Sequence, residues 1–377
     1  MTTDINQRLM QLRARRTGMS TGLESFAKAD SALDSITEDA AGPEPWEVRG
    51  TAAQQWSKYA IGAMEAVGKT YTKVSLATAD RVADQLRSRL NAAGIRVEFK
   101  LQGSVPLDVH IKRVSDVDLL TIRTSFLTYA KNGVKARLGQ YGNSSDTASE
   151  EVLAELRTQI ESDLPAAFPA ADVDKSGAKA VKISGGSLQR SVDVVPAHWL
   201  DTEAYQLSGR DEDRGIRIYN KTTHETIKNQ PFLHIHLIGA RCDAIRGGLR
   251  KAIRLCKSVK ADSDRDIQLS SFDIASIMYH ADMNALRAGQ FTDLAVLAET
   301  QRHLDVLWND QASAEKLLVP DGSRRIFDTP EKRNWLGLLS KEIDELLSNV
   351  YMEIEVGRRA PNQTFDGKRS LVRATAI

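Results

Sequence analysis

The segment that most constrains this chain is Asp116-Val-Asp-Leu-Leu-Thr-Ile122, which sets two carboxylates among apolar residues at the two-residue period of a strand. On a strand over these residues Asp116, Asp118, Leu120 and Ile122 share one face, and Val117, Leu119 and Thr121 share the other. Two carboxylates side by side supply the oxygens that hard divalent ions take as ligands. A third lies further along. Ala178 to Val195 reads as a hairpin: Val181 and Ile183 alternate with polar neighbours, Ser184-Gly185-Gly186-Ser187 makes the turn, and a strand follows with Asp193 between Val192 and Val194. Asp116, Asp118 and Asp193 together would form a two-metal cradle for an in-line displacement, and the third carboxylate could assist deprotonation of an attacking hydroxyl.

Upstream, Ile95 to Leu101 alternates as a strand and breaks at Gly103-Ser104. A small-residue break after a strand lets backbone N–H groups and a hydroxyl approach phosphate without interference from a Cβ. Gly-Ser turns are common, and so is a lone Asp-x-Asp on a strand. It is their order and strand context, with the later aspartate, that set them apart.

The run GSVPLDVHIKRVSDVDLL and the later SVDVVPAHW resemble the Gly-Ser, Asp-x-Asp and third-aspartate signature of the polymerase-β-like nucleotidyltransferase superfamily. Within it the chain is most similar to the bacterial cyclic-oligonucleotide synthases of anti-phage defence (CD-NTases), relatives of cyclic GMP–AMP synthase and oligoadenylate synthase. The resemblance covers roughly residues 50–310 and implies an α+β fold, a mixed sheet flanked by helices with a C-terminal helical lobe. It assigns Asp116 and Asp118 to both of two Mg2+ ions (Mn2+ as substitute), Asp193 to the catalytic one, and Gly103 and Ser104 to the donor phosphates. It also implies a lysine reaching the triphosphate from RKAIRLCKSVK; Lys257 matches that position better than Lys251. The expected reaction joins nucleoside triphosphates, ATP among them, into a cyclic di- or trinucleotide with release of pyrophosphate. Implied partners are an effector that reads the product and, in some systems, an accessory enzyme that conjugates the synthase through its C-terminus.

Apolar periodicity predicts helices over 52–67, 75–93, 148–164, 233–260, 270–288, 292–309 and 331–355, after a short amphipathic helix carrying Ile5, Leu9 and Leu12. The expected division is an N-terminal helix and linker (1–50, with a loop at Thr37 to Pro45), a nucleotidyltransferase core (51–205), a helical lobe (206–356) entered through a polar loop that runs from Pro196 to Lys228, and a mobile tail (357–377). In the helix over 233–260, Arg246, Arg250, Arg254 and Lys257 recur at spacings of four, four and three. Such a stripe is either a solvated face or a phosphate-binding one.

Composition narrows the alternatives. A net charge of +1 excludes a general nucleic-acid coat and gives no reason to expect sequence-specific nucleic-acid binding. No apolar run approaches the roughly 20 residues of a membrane span, and no secretory h-region follows the N-terminus. Cys242 and Cys256, expected in one helix, cannot build a disulfide framework or a four-cysteine zinc site, so the cytoplasm is the expected compartment. His234 and His236 lack a third ligand and read as packing residues. His198, Trp199, Tyr205 and Tyr219 read as packing before nucleobase contacts. Two competing functions fit the motifs: a nucleotidyltransferase that modifies an RNA 3′ end or a protein, and a non-catalytic nucleotide sensor. The sensor would not need all three aspartates, and this chain has them.

Overall fold

The computed structural model describes residues 4–17, 43–142, 145–355 and 364–377. The part of the Thr37–Pro45 loop before residue 43 and the part of the tail before residue 364 lie outside them. The architecture is the expected α+β one. Helices α1 (Ile5–Thr17), α2 (Gln55–Met64) and α3 (Lys69–Ala92) precede strands β1 (Val97–Gln102) and β2 (Val117–Tyr129). Helix α4 (Ser149–Ala167) leads into β3 (Asp172–Asp174), β4 (Val181–Ser184), β5 (Val192–Asp201), β6 (Gly215–Asn220) and β7 (Glu225–Asn229). The larger helices that follow are α5 (Pro231–Ala244), α6 (Gly248–Ala261), α7 (Ser271–Tyr279), α8 (Leu294–Asn309), α9 (Pro330–Glu355) and α10 (Phe365–Ala374).

The seven strands form one sheet in the order β1-β2-β5-β4-β3, with β6 pairing β5 and β7. Only β2 and β5 are parallel; the other pairs are antiparallel. Side chains alternate across the sheet, so its two faces have different partners. Val117, Leu119, Val192 and Val194 pack under Val82, Leu86 and Leu90 of α3 and Leu153, Leu156 and Ile160 of α4. These helical positions recur every three or four residues, which is why α3 and α4 can cover a sheet. Gly94 ends α3 at φ +76, as its position predicts. The opposite face carries Leu120, Ile122, Val195 and Ala197, packed with Ile216, Ile218 and Phe232.

Several expectations need correction. β5 runs through Pro196 to Asp201, and the expected polar loop contains the β6–β7 hairpin, so the sheet continues past residue 205 to Asn229. Pro196 stands where β5 changes neighbour, between Val194 opposite Val181 of β4 and Ala197 opposite Ile218 of β6. There a missing N–H disturbs few ladder bonds. The helix expected over 233–260 is two helices, because Arg246 and Gly247 take left-handed conformations at φ 58 and 96. Cys242 and Cys256 therefore lie on different helices, and Arg246 drops out of the basic stripe. Helix 270–288 likewise breaks after Tyr279 and resumes at Met283.

The helical core is also not confined to residues 206–356. Leu9 and Leu12 of α1, and Tyr59, Ile61 and Met64 of α2, lie in the same buried cluster as Leu255 of α6 and Ile343 of α9. At the other end, the tail expected to be mobile contains α10, capped by Thr364, whose hydroxyl accepts from Gly367 N. Val372 is buried in the helical core, and Arg49 donates to the Ile377 carbonyl at 2.7 and 2.9 Å. Phe365, Leu371 and Val372 offer too few apolar positions to show helical periodicity in sequence. Among the described residues no helix is long and apolar enough to cross a membrane.

Candidate active site

The parallel pairing of β2 with β5 places Asp118 directly opposite Asp193. β1 sets Gln102 on the other side of Asp118, and β4 sets Lys182 on the other side of Asp193. Gln102, Asp118, Asp193 and Lys182 thus form one row across four strands, on the face away from α3 and α4. Asp116 sits two residues before Asp118, just ahead of the first residue of β2, where Val117 N still bonds to Ser191 O at 3.1 Å. Its carboxylate accepts from Lys182 Nζ at 2.6 Å and from the Ser191 hydroxyl. The three aspartates predicted from sequence are therefore neighbours.

Crowding shows in their acidity. Burial first, then repulsion from Asp193 and Asp116, raises the Asp118 carboxyl to about 7, while Lys257 and Lys182 pull it down. Burial and Asp116 raise Asp193 to about 6. Such a group of anions resists ionisation until a cation arrives. Hard oxygen donors on adjacent strands suit Mg2+ or Mn2+, so the residues fit the expected metal. They are not gathered into a finished cage: among the described residues no three acidic, histidine or cysteine side chains converge as a preformed metal site.

Gly103 follows β1 at φ +76, and a Cβ built there would lie 2.1 Å from Asp118 Oδ2. Glycine is required twice over, by backbone conformation and by the carboxylate resting against it. Ser104 is buried, and its carbonyl accepts from Val109 N at 3.0 Å, closing the turn.

The basic stripe of α6 is neither a solvated face nor a row of free cations. Arg250 Nε donates to Leu107 O at 2.9 Å, Arg254 Nη1 to Asp108 O at 2.6 Å, and Lys257 Nζ to Val109 O at 2.9 Å. Three successive carbonyls of the loop after Gly103-Ser104 are thus held by three cations of one helix. Lys257 also donates to Ser115 Oγ at 3.0 Å, one residue before Asp116. Its burial lowers its pKa to about 7, against the pull of Asp118. Lys251 faces elsewhere, bonding Gly289 O at 2.9 Å and pairing with Asp293.

Of the residues set aside in the sequence, His198, Trp199, Tyr205, Tyr219 and His234 do pack, whereas His236, on the same helix as His234, is exposed. His198 is buried with its Nδ1 on Trp199 O at 2.9 Å, and burial takes its pKa to about 4. Trp199 packs on Phe232 with Arg214 over its ring, Tyr205 lies between Lys135 and Arg214, and Tyr219 bonds His224. His234 stacks on Phe272 with ring centroids 4.2 Å apart. Lys182 and Ser191 were missed. Val181-Lys182-Ile183 and Val192-Asp193-Val194, on two arms read as a hairpin, already pointed to a lysine opposite an aspartate.

Comparisons with known proteins give this geometry a family. No protein-family model matches the chain. It is 46% identical over 314 residues, 82% of this chain and 80% of the relative, to the cyclic dinucleotide synthase CdnE of Yersinia aleksiciae. The chain belongs to the family of CdnE cyclic dinucleotide synthases. This synthase is also 33% identical over 307 residues, 76% of the chain and 86% of the relative, to a c-di-GMP synthase of Lachnospiraceae bacterium (strain RUG226). The solved STING-associated CdnE c-di-GMP synthase of Capnocytophaga granulosa superposes with a TM-score of 0.68 at 26% identity, over 93% of this chain and 99% of that one. The Rhodothermus marinus CdnE c-UMP-AMP synthase, at TM-score 0.57 and 16% identity, shares the fold. The family expected from the Gly-Ser and aspartate motifs is the one found, and the chain is a nucleotidyltransferase.

Proposed function

We propose that this synthase joins two nucleoside triphosphates into a cyclic dinucleotide at Asp116, Asp118 and Asp193, with GTP as a substrate. The observation that carries the site is the direct register of Asp118 with Asp193 beside Gly103. GTP is favoured because relatives sharing a third of the sequence are named c-di-GMP synthases.

In each of two rounds a ribose hydroxyl of one nucleotide attacks the α-phosphorus of another. One P–O bond forms, the bond to the leaving pyrophosphate breaks, and the hydroxyl proton is lost. Two Mg2+ ions held by the three aspartates would stabilise charge on the attacking and leaving oxygens. Gly103 admits a phosphate close to the backbone, Ser104 lies in the same turn, and Lys257 fixes the loop that presents them while adding positive charge beside Asp118. Asp193 is the carboxylate assigned to receive the proton. A downstream effector selective for the cyclic product is the partner this chemistry requires.

The test is to incubate the full chain with GTP, with ATP and with both, with Mg2+ or Mn2+, and to identify phosphatase-resistant products by mass spectrometry. Cyclic di-GMP from GTP alone, or a mixed product that contains guanine, supports the proposal, and a cyclic product without guanine would correct the base choice. Label appearing only on added RNA or protein would overturn it. Asp116→Ala and Asp118→Ala should each lower turnover at least about 10³-fold, on the scale of losing electrostatic stabilisation of a transition state.

A further inference from the structure

The chemistry proposed above uses the three aspartates and leaves Lys182 without a part. Among the described residues it is the cation that bonds directly to one of them, at 2.6 Å from Asp116 Oδ2. Its place is built in, since β4 sets it opposite Asp193 while its side chain reaches across to Asp116. Ser191 donates to the other oxygen of the same carboxylate. Asp116 is therefore engaged on both oxygens.

Lys182 differs from Lys257. Lys257 is buried and fixed by two hydrogen bonds, whereas the Lys182 side chain is 43% exposed and Asp116 31% exposed. An ion pair so open to water is worth little, and a long flexible stem can swing aside without stranding a buried charge. A divalent cation offers the same carboxylate twice the charge.

We infer that Lys182 is a built-in counter-ion that holds Asp116 until a divalent cation displaces it. It neutralises part of the repulsion among the aspartates in the metal-free protein and competes with metal for Asp116. Lys182 is a positioning residue in this role. The inference rests on reading the aspartates as the metal-binding set.

The experiment is a Mn2+ titration of the nucleotide-free full chain, following free Mn2+ by electron paramagnetic resonance at low salt. Lys182→Met should bind Mn2+ roughly three- to tenfold tighter than the parent, Lys182→Arg should return close to the parent value, and the gap should narrow in concentrated KCl. Asp116→Asn should weaken binding. Unchanged or weaker affinity in Lys182→Met, with the parent binding normally, overturns the counter-ion role and leaves the metal site standing. Absence of Mn2+ binding by the parent overturns both. Circular dichroism checks folding, and Lys182→Gln carries the same comparison if the methionine variant does not fold.

Discussion

At Asp118 the role proposed in catalysis opposes the requirements of folding. Its carboxyl is raised to about 7 and that of Asp193 to about 6, above the 3.8 ordinary for an aspartate. The folded state thus binds protons more tightly than the unfolded one. The stability these groups contribute is fully present below about pH 4 and is lost as pH rises through 6 to 7. Asp118→Asn should therefore raise the melting temperature of the metal-free protein at pH 8 by roughly 2 °C or more, with a smaller gain at pH 5, as scanning calorimetry would show. The parent should gain more from added Mg2+ at pH 8 than at pH 5, because protons compete for the same oxygens. Gly103→Ala tests the neighbouring position. Its methyl would collide with the Asp118 carboxylate in a backbone conformation that alanine resists, so turnover should fall about 10²-fold while the fold survives, with a cost of roughly 1 kcal/mol. Full activity in that variant would remove Gly103 from the site.

Among the elements, α6 organises the loop that follows Gly103-Ser104. Arg254 is buried and holds both Met64 O and Asp108 O, linking α2, α6 and that loop. Arg254→Ala would leave those carbonyls without their donor, and we expect a loss of about 2–4 kcal/mol by chemical denaturation together with a raised KM for nucleotide. A variant that lost stability but kept KM would separate the loop from substrate binding. This helix also shows where sequence reading stops. Strand alternation gave the aspartates their common face, and hairpin periodicity gave Asp193 its strand, since both follow from the two-residue repeat alone. The cations of α6 could be placed on a stripe, but their acceptors are backbone carbonyls more than 140 residues away in sequence, and a carbonyl leaves no trace in residue type. Arg246 was misplaced for a local reason: Gly247 breaks the helix, and the Gly247-Gly248 pair was the available signal. Gly248 packs so closely that a Cβ would meet Leu286 O at 2.1 Å.

Across the whole molecule, the two ends of the described chain close the helical core. Arg8 of α1 pairs with Glu342 of α9 where both are buried, and Glu342 also accepts from Ser263 and Arg265. Arg15 and Tyr59 converge on Asp262 at the end of α6. Glu342→Ala would leave the Arg8 guanidinium buried without its counter-charge, and a loss of about 3–5 kcal/mol is expected in denaturant unfolding. A loss under 1 kcal/mol would mean that α1 is not fastened through this pair. Residue patterns placed a helix over Ile5, Leu9 and Leu12 but not its partner, because an amphipathic stripe states that a face is buried and not against what.

The parallel pairing of β2 with β5 bears on when the enzyme can first act. A parallel pair cannot be closed by a hairpin, and α4, β3 and β4 lie in the connection between Asp118 and Asp193. Contacts between segments so far apart in sequence form slowly, since loop-closure entropy is lost before they are made. During synthesis, a ribosome-bound chain that has emerged only through β2 carries Asp116 and Asp118 but has no partner for them. The metal site proposed on these aspartates should therefore appear with the last steps of core assembly, and half-made chains would spend no nucleotide on signalling.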